Sequence, residues 1–257
     1  MGLTAPVTER GYRLEVFDNL GSTNDEAMAR GRDGDPGPLW IRAVQQTGGK
    51  GRLGRQWVSP VGNLYASLLL VDAATQDRAP ELGFVAGVAL ASTLSRFLGP
   101  EARIKWPNDI VVGGAKLAGI LLEATQTRWG GFACVIGVGV NCASHPQGLP
   151  YPATDLASHG AAVAPDDLLE FFAEELAGWL DQWDEGRGFA QIRAAWLLFA
   201  AGMGETAEVA MGDQRIKGIL RGLDERGRLL VDTEAGLRTI DAGDVFLPGL
   251  IEAGGQL

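Results

Sequence analysis

What this chain has little of limits it first. Cysteine occurs twice in 257 residues, histidine twice and tyrosine three times. So few sulfur and imidazole donors leave little from which to build a disulfide framework or a Cys/His zinc site. Cys134 stands inside the apolar run "FACVIGVGV" and reads as a reduced core thiol. His145 and His159 lie in Pro- and Gly-rich sequence without ligand-like companions. No charged-then-apolar leader opens the chain and no apolar run approaches membrane-spanning length, so no membrane partner is expected and the cytoplasm is the default location. Positive charge is also scarce: 22 Lys and Arg stand against 32 Asp and Glu, for a formal net charge of -10. That balance argues against a general nucleic-acid binder. The 46% hydrophobic and 21% charged residues are ordinary for a globular chain, long enough for a large domain plus a small one.

One absence is local. From Pro36 to Val71 there is no Asp or Glu, yet Arg42, Lys50, Arg52 and Arg55 all fall inside that span. The densest part is "QQTGGKGRLGRQW", Gln45 to Trp57, with glycines at 48, 49, 51 and 54. Such glycines let the backbone come close to a ligand and present its N–H groups. The guanidinium groups can then grip phosphate or carboxylate oxygens in pairs. The pattern is not a P-loop, because no Ser or Thr follows the lysine. The bland alternative is a mobile surface loop with incidental charge; anion binding explains the missing acids better.

Short apolar runs bounded by Gly, Pro or Asn predict strands at residues 39–46, 63–71, 103–106, 110–112, 116–125 and 132–141. Leu82, Val85, Ala86, Leu90, Leu94 and Phe97 recur at helical spacing after Pro80. A second helix is predicted from Pro165, carrying Leu169, Phe172, Leu176 and Trp183 on one face, and a third over Phe189 to Phe199. After "AAGMGET" the texture changes to short alternating runs separated by turn signals at 212–213, 224–227 and 234–236. That predicts a small module of four or five strands, giving a larger domain over residues 1–202 and a β domain over 203–257.

Four other segments have plain structural readings. "STNDEA" contains a capping box, Thr23 with Glu26, for a following helix. "KWPNDI" makes a turn between two strands. In "KLAGIL", Gly119 permits a close approach, and "GVGVN" is a buried strand ending at Asn141. Taken in order with "QTGGKGRLGRQW", however, these segments resemble the biotin–protein ligase family, and the combination is far more specific than any one motif.

The resemblance implies an α+β fold: a catalytic domain like the class II aminoacyl-tRNA synthetase core, with a mixed sheet backed by helices, then an SH3-like β-barrel. It implies an enzyme that uses ATP with Mg2+ to turn biotin into biotinyl-5′-AMP. It then transfers biotin to one lysine of a biotin carboxyl carrier protein domain of a biotin-dependent carboxylase. By family motif, Ser22, Thr23 and Asn24 line the biotin pocket, and Gln46 with Gly49, Lys50 and Gly51 holds the rest of biotin. Arg52 contacts the biotin carboxylate and the α-phosphate, Arg55 the triphosphate, and Trp57 stacks near adenine. Asn108 and Asn141 flank the nucleotide, Asp109 polarises a reacting group or holds Mg2+, and Gly119 lets biotin lie against its strand. Lys116 bridges carboxylate and phosphate at the reaction centre, so Lys116, Arg52 and Asp109 are the expected catalytic residues.

One departure stands out. The family's loop usually reads G-R-G-R, and here Lys50 replaces the first arginine, keeping the charge but losing the planar fork. The "STN" motif begins at residue 22, which leaves no room before it for the winged-helix DNA-binding domain of some family members. A ligase without repressor activity is therefore expected, as monomer or homodimer. Two alternatives stay open: a lipoate or octanoate–protein ligase, and a non-catalytic biotin-sensing homologue.

Overall fold

The computed structural model describes residues 2–247, so the end of the predicted β domain, residues 248–257, lies outside the described residues. In chain order the first part contains α1 (Ala5–Thr8), β1 (Arg13–Leu20), α2 (Thr23–Asp33), β2 (Leu39–Gln46), β3 (Leu64–Val71) and α3 (Glu81–Leu98). These are followed by β4 (Arg103–Lys105), β5 (Asp109–Val112), β6 (Ala115–Gln126), β7 (Phe132–Val140), α4 (Pro165–Trp183) and α5 (Phe189–Phe199). The last part is all strand: β8 (Thr206–Met211), β9 (Gln214–Leu223), β10 (Leu229–Thr233), β11 (Gly236–Ile240) and β12 (Asp244–Phe246).

The first seven strands form one mixed sheet in the order β1-β2-β3-β7-β6-β5-β4. β1 and β2 run parallel, and the other neighbours are antiparallel. The period-2 alternation of a strand explains how both faces are used. On β2, Trp40 enters the large core while Leu39 and Ile41 face the opposite side. On β3 and β7, Leu68, Leu70, Ile136 and Val138 join the large core, and Leu69, Ala133 and Val135 the smaller one. The large core lies under α3, α4 and α5; the smaller one lies under α2, through Ala27 and Met28. Because α2 covers just part of its face, the rest of that face is open for a site.

The predicted helices appear where the spacing put them, and α5 matches residue for residue. Two features differ. β1 was not anticipated, and its irregular burial explains why: it is an edge strand with no clean alternation to read. The helix α2 is capped by Ser22, whose Oγ accepts from the Asp25 N–H at 3.4 Å, not by Thr23. The Thr23 hydroxyl is turned inward to Gln46 instead.

A further correction concerns apolar length. No run of membrane-spanning length was expected, yet α3 with the turn after it, Glu81–Glu101, is long and apolar enough to cross a membrane. Its apolarity here reflects packing on more than one side. Val85, Ala86, Leu90 and Leu94 are fully buried in the large core, and α3 packs against α4, α5 and the sheet.

The last five strands form a second, antiparallel sheet in the order β11-β10-β9-β8-β12, the SH3-like part of the fold. It is tied to the first part by Trp106, whose indole N–H donates to the Gly227 carbonyl at 3.3 Å, and by Arg193, which donates to the Leu223 carbonyl at 3.2 Å. Leu220, Leu229 and Val245 continue the large core into it. This attachment brings the start of β12 beside the open half of the first sheet.

Candidate active site

The site grows from three glycines on the open sheet face. A Cβ on Gly137 of β7 would overlap Asn24 Oδ1. One on Gly139 would stand 2.5 Å from the Trp57 indole, and one on Gly119 of β6 would stand 3.1 Å from it. The missing side chains let α2 and the glycine-rich loop settle directly on the strands. What remains between sheet, loop and β12 is a cavity of about 530 Å³, within the range of small-molecule sites.

One wall is a buried polar network. Asn24 donates to Glu123 Oε2 at 2.8 Å, and its Oδ1 accepts from Ser67 at 2.6 Å. Ser67 Oγ is also 2.8 Å from Thr23 Oγ1. Gln46 Oε1 accepts from both the Thr23 N–H (2.8 Å) and the Thr23 hydroxyl (3.1 Å). The Gln46 amide in turn donates to Ser59 Oγ at 2.9 Å, and Ser59 to the Trp57 carbonyl. Each side chain is fixed by another, which is how a recognition surface is kept in register.

The cavity is also lined by cations. Lys116 Nζ lies 2.6 Å from Asp109 Oδ1, and Lys105 Nζ lies 3.4 Å from Asp109 Oδ2. The same ammonium of Lys116 sits 5.4 Å from the Trp57 ring centre and 5.8 Å from that of Tyr151, within cation–π range. Arg52 donates to Asn108 Oδ1 at 3.1 Å, and Asn108 donates to the Ile120 carbonyl at 2.6 Å. Arg55 pairs with Asp244 at the start of β12. Burial works against ionising Asp244, but the hydrogen bond and charge of Arg55, with the charges of Arg52 and Lys105, hold its carboxyl below the ordinary value. At the mouth Lys50 Nζ pairs with Asp25 of α2 at 2.6 Å. Its charge is therefore spent on a local partner, a single-point contact that suits an ammonium.

Two family models match the chain: the biotin/lipoate A/B protein ligase family over residues 28–141, and the biotin protein ligase C terminal domain over residues 203–247. A biotin–[acetyl-CoA-carboxylase] ligase of Paracoccus denitrificans is 40% identical over 236 residues, covering 89% of this chain and 98% of that one. The chain belongs to the biotin–protein ligase family. The enzyme of the same name from Mycobacterium tuberculosis is 32% identical, with 91% of this chain and 89% of that one covered. Among solved structures, the biotin protein ligase from Aquifex aeolicus in complex with biotin and ATP superposes with a TM-score of 0.79 at 26% identity. That match covers 91% of this chain and 98% of the other.

In this ligase, most of the residues singled out from sequence line one cavity: Ser22, Thr23, Asn24, Gln46, Lys50, Gly51, Arg52, Arg55, Trp57, Asn108, Asp109, Lys116 and Gly119. Two do not. Asn141 is buried behind the site, where its amide donates to the Thr154 carbonyl at 2.9 Å and its backbone binds Leu117 and Leu156. It pins the chain after β7 to the sheet instead of flanking the cavity. Gly49 is packed inside the loop: its carbonyl accepts from the Trp57 N–H at 2.9 Å, and a Cβ would stand 2.6 Å from Ser59 Oγ.

Trp57 also differs from expectation. Its indole covers Gly119 and Gly139, so a ligand lying on those glycines requires the ring to turn aside; the indole N–H is buried without a hydrogen-bond partner. Asp109 does not fit a resident metal ion, since both its oxygens face lysines and no group of three or more His, Cys, Asp or Glu able to hold a metal occurs among the described residues. Sequence reasoning missed Ser59, Ser67, Lys105, Tyr151 and Asp244. Ser67 reads as one polar residue in an apolar strand, and Asp244 is brought in by the second sheet, so neither carried a local signal.

Proposed function

We propose that this ligase condenses biotin with ATP to biotinyl-5′-AMP and pyrophosphate, then passes the biotinyl group to a lysine of a biotin carboxyl carrier protein domain. The observation that carries the reading is a single cavity lined both by a fixed hydrogen-bonding network and by a concentration of cations. The polar wall of Ser22, Thr23, Asn24 and Gln46 suits the ureido ring. Arg52 and Lys116 suit the place where two anions must meet, because the carboxylate and the α-phosphate repel each other until cations offset their charge.

In the first step a biotin carboxylate oxygen bonds to the α-phosphorus and the bond to the β-phosphate bridging oxygen breaks, releasing pyrophosphate. Lys116, paired with Asp109, meets the charge on the α-phosphoryl oxygens, and Arg55 meets that of the leaving pyrophosphate. Magnesium travels with the nucleotide as part of the substrate. In the second step the acceptor amine attacks the acyl carbon, loses a proton, and AMP leaves with the electron pair of the broken acyl–oxygen bond. The glycine-rich loop stands between cavity and solvent, where it protects the mixed anhydride from water.

The test is labelling of a purified carrier domain with ATP and biotin, read by mass spectrometry on the modified lysine. Biotin- and ATP-dependent addition at one lysine is expected. Adenylation of lipoate or octanoate but not biotin would overturn the reading, and inertness toward all three would favour a sensing homologue.

A further inference from the structure

Arg52 and Arg55 converge on one carboxylate that the glycine-rich loop does not itself supply. Arg55 pairs with Asp244 Oδ2, and Arg52 NH1 stands 3.6 Å from Asp244 Oδ1. The terminal nitrogens of Arg52 also reach the adjacent Gly243 carbonyl at 3.5 and 3.4 Å. Each oxygen of Asp244 thus faces a different guanidinium, as two non-bridging oxygens of a phosphate would. Asp244 lines the same cavity as Lys105 and Lys116. No acid lies within the loop to do this work, since the span from Pro36 to Val71 has none.

We propose that Asp244 is a positioning residue that stands in for substrate phosphate. While the cavity holds no anion, its carboxylate neutralises the two arginines and ties the glycine-rich loop to the second sheet. When a polyphosphate group enters, it takes over both guanidiniums and Asp244 is displaced. The loop is thereby kept near its working position without a ligand, and the charge of the arginine pair is never left uncompensated. This rests on the nucleotide chemistry proposed above. It adds a competition: Asp244 and the phosphate occupy the same donors by turns.

The competition gives the test its sign. Binding of inorganic pyrophosphate, without metal, is measured by calorimetry for wild type, Asp244→Asn and Asp244→Glu. Removing a competing carboxylate from two partly exposed arginines is expected to tighten pyrophosphate binding about 3- to 10-fold, and Asp244→Glu should stay near wild type. In parallel, limited trypsin digestion is followed at Arg52 and Arg55. Asp244→Asn should be cut several-fold faster than wild type without pyrophosphate, and added pyrophosphate should protect both. Arg55→Gln breaks the same pair from the loop side and should likewise speed cutting after Arg52, so the tie remains testable if Asp244→Asn folds poorly.

Unchanged or weaker pyrophosphate binding by a folded Asp244→Asn overturns the stand-in role, because a residue that stays in place to steer the arginines would lose affinity on neutralisation. Equal cutting rates overturn the tie. A wild type that binds pyrophosphate but neither ATP nor biotin would sink the ligase reading while leaving this competition measurable. A wild type that binds no pyrophosphate sinks the stand-in role whatever the labelling assay shows.

Discussion

Adding one methyl group at Gly137 should cost the protein both stability and its polar wall. A Cβ there would overlap Asn24 Oδ1 and lie 2.8 Å from Asn24 Cγ. Asn24 cannot easily give way, because it is 4% exposed and held by Ser67 at 2.6 Å and Glu123 at 2.8 Å. Overpacking of this kind costs about 1–3 kcal/mol, and each hydrogen bond lost in the retreat about 0.5–1.5 kcal/mol more. Gly137→Ala is therefore expected to lose roughly 2–5 kcal/mol, which for a chain of this size lowers Tm by about 5–15 °C. Gly119→Ala serves as the control. Its nearest neighbours are the Trp57 ring edge at 3.1 Å and the Lys116 stem at 3.4 Å, so a shift of a few tenths of an ångström by the outer part of these side chains relieves the contact, and a cost below about 1 kcal/mol is expected.

The assay is thermal unfolding with and without biotin, with biotin affinity from calorimetry. Gly137→Ala should also weaken biotin about five-fold or more, the equivalent of one hydrogen bond. The cause is isolated by repeating Gly137→Ala in an Asn24→Ala background, where the clash is absent and most of the penalty should vanish. The reasoning fails if Gly137→Ala and Gly119→Ala prove equally costly, or if the penalty is the same with and without Asn24.

Other outcomes follow from the same geometry. Lys116→Ala should abolish biotin-dependent pyrophosphate release while keeping its Tm within a few degrees; a wild-type rate of release would remove Lys116 from the chemistry. Arg52→Gly should speed dissociation of the adenylate far more than it lowers Tm, which a chase experiment on the pre-formed complex reads directly. Ser67→Ala, at a fully buried site, should cost about 1–3 kcal/mol by stranding Asn24 Oδ1, measured by denaturant unfolding. Burial pushes the thiol pKa of Cys134 up to about 11, and burial pushes that of Cys142 up to about 12. Above pH 9 the unfolded chain sheds thiol protons that the folded chain retains, so stability should fall from pH 9 toward 12. Replacing both cysteines with alanine should flatten that part of the stability–pH curve, after allowance for the tyrosines.

Much of this architecture was legible because it rests on local periodicity. The run of β2 is mostly apolar and ends just before the glycines begin, and α5 is bounded by Gly188 and by Ala200, where the backbone turns extended. What was not legible depended on neighbours distant in sequence. Ser22 and Thr23 are both cap-forming residue types, and the choice falls to Ser22 with the Thr23 hydroxyl held by Gln46 at the end of β2. Asn141 sits in a motif that suggested ligand contact, yet the segment at 152–156 absorbs its hydrogen bonds. Asp244 gave no warning, because its meaning comes from two arginines about 190 positions earlier. The cations themselves were legible, since an acid-free span is a property of the sequence alone.

The strand order has a consequence for how the molecule comes into being. Central pairing joins β3 to β7, Leu64 opposite Val140 and Val71 opposite Ala133, so the middle of the sheet closes only by bringing together strands that a helix and three further strands separate in the chain. Contacts of such long range form slowly and late in folding. Asn24, Ser67, Gly137 and the lysines of β4 and β6, Lys105 and Lys116, meet only once that closure is made. A nascent or half-folded chain therefore has no assembled pocket, and ligase activity is expected only from molecules whose sheet is complete.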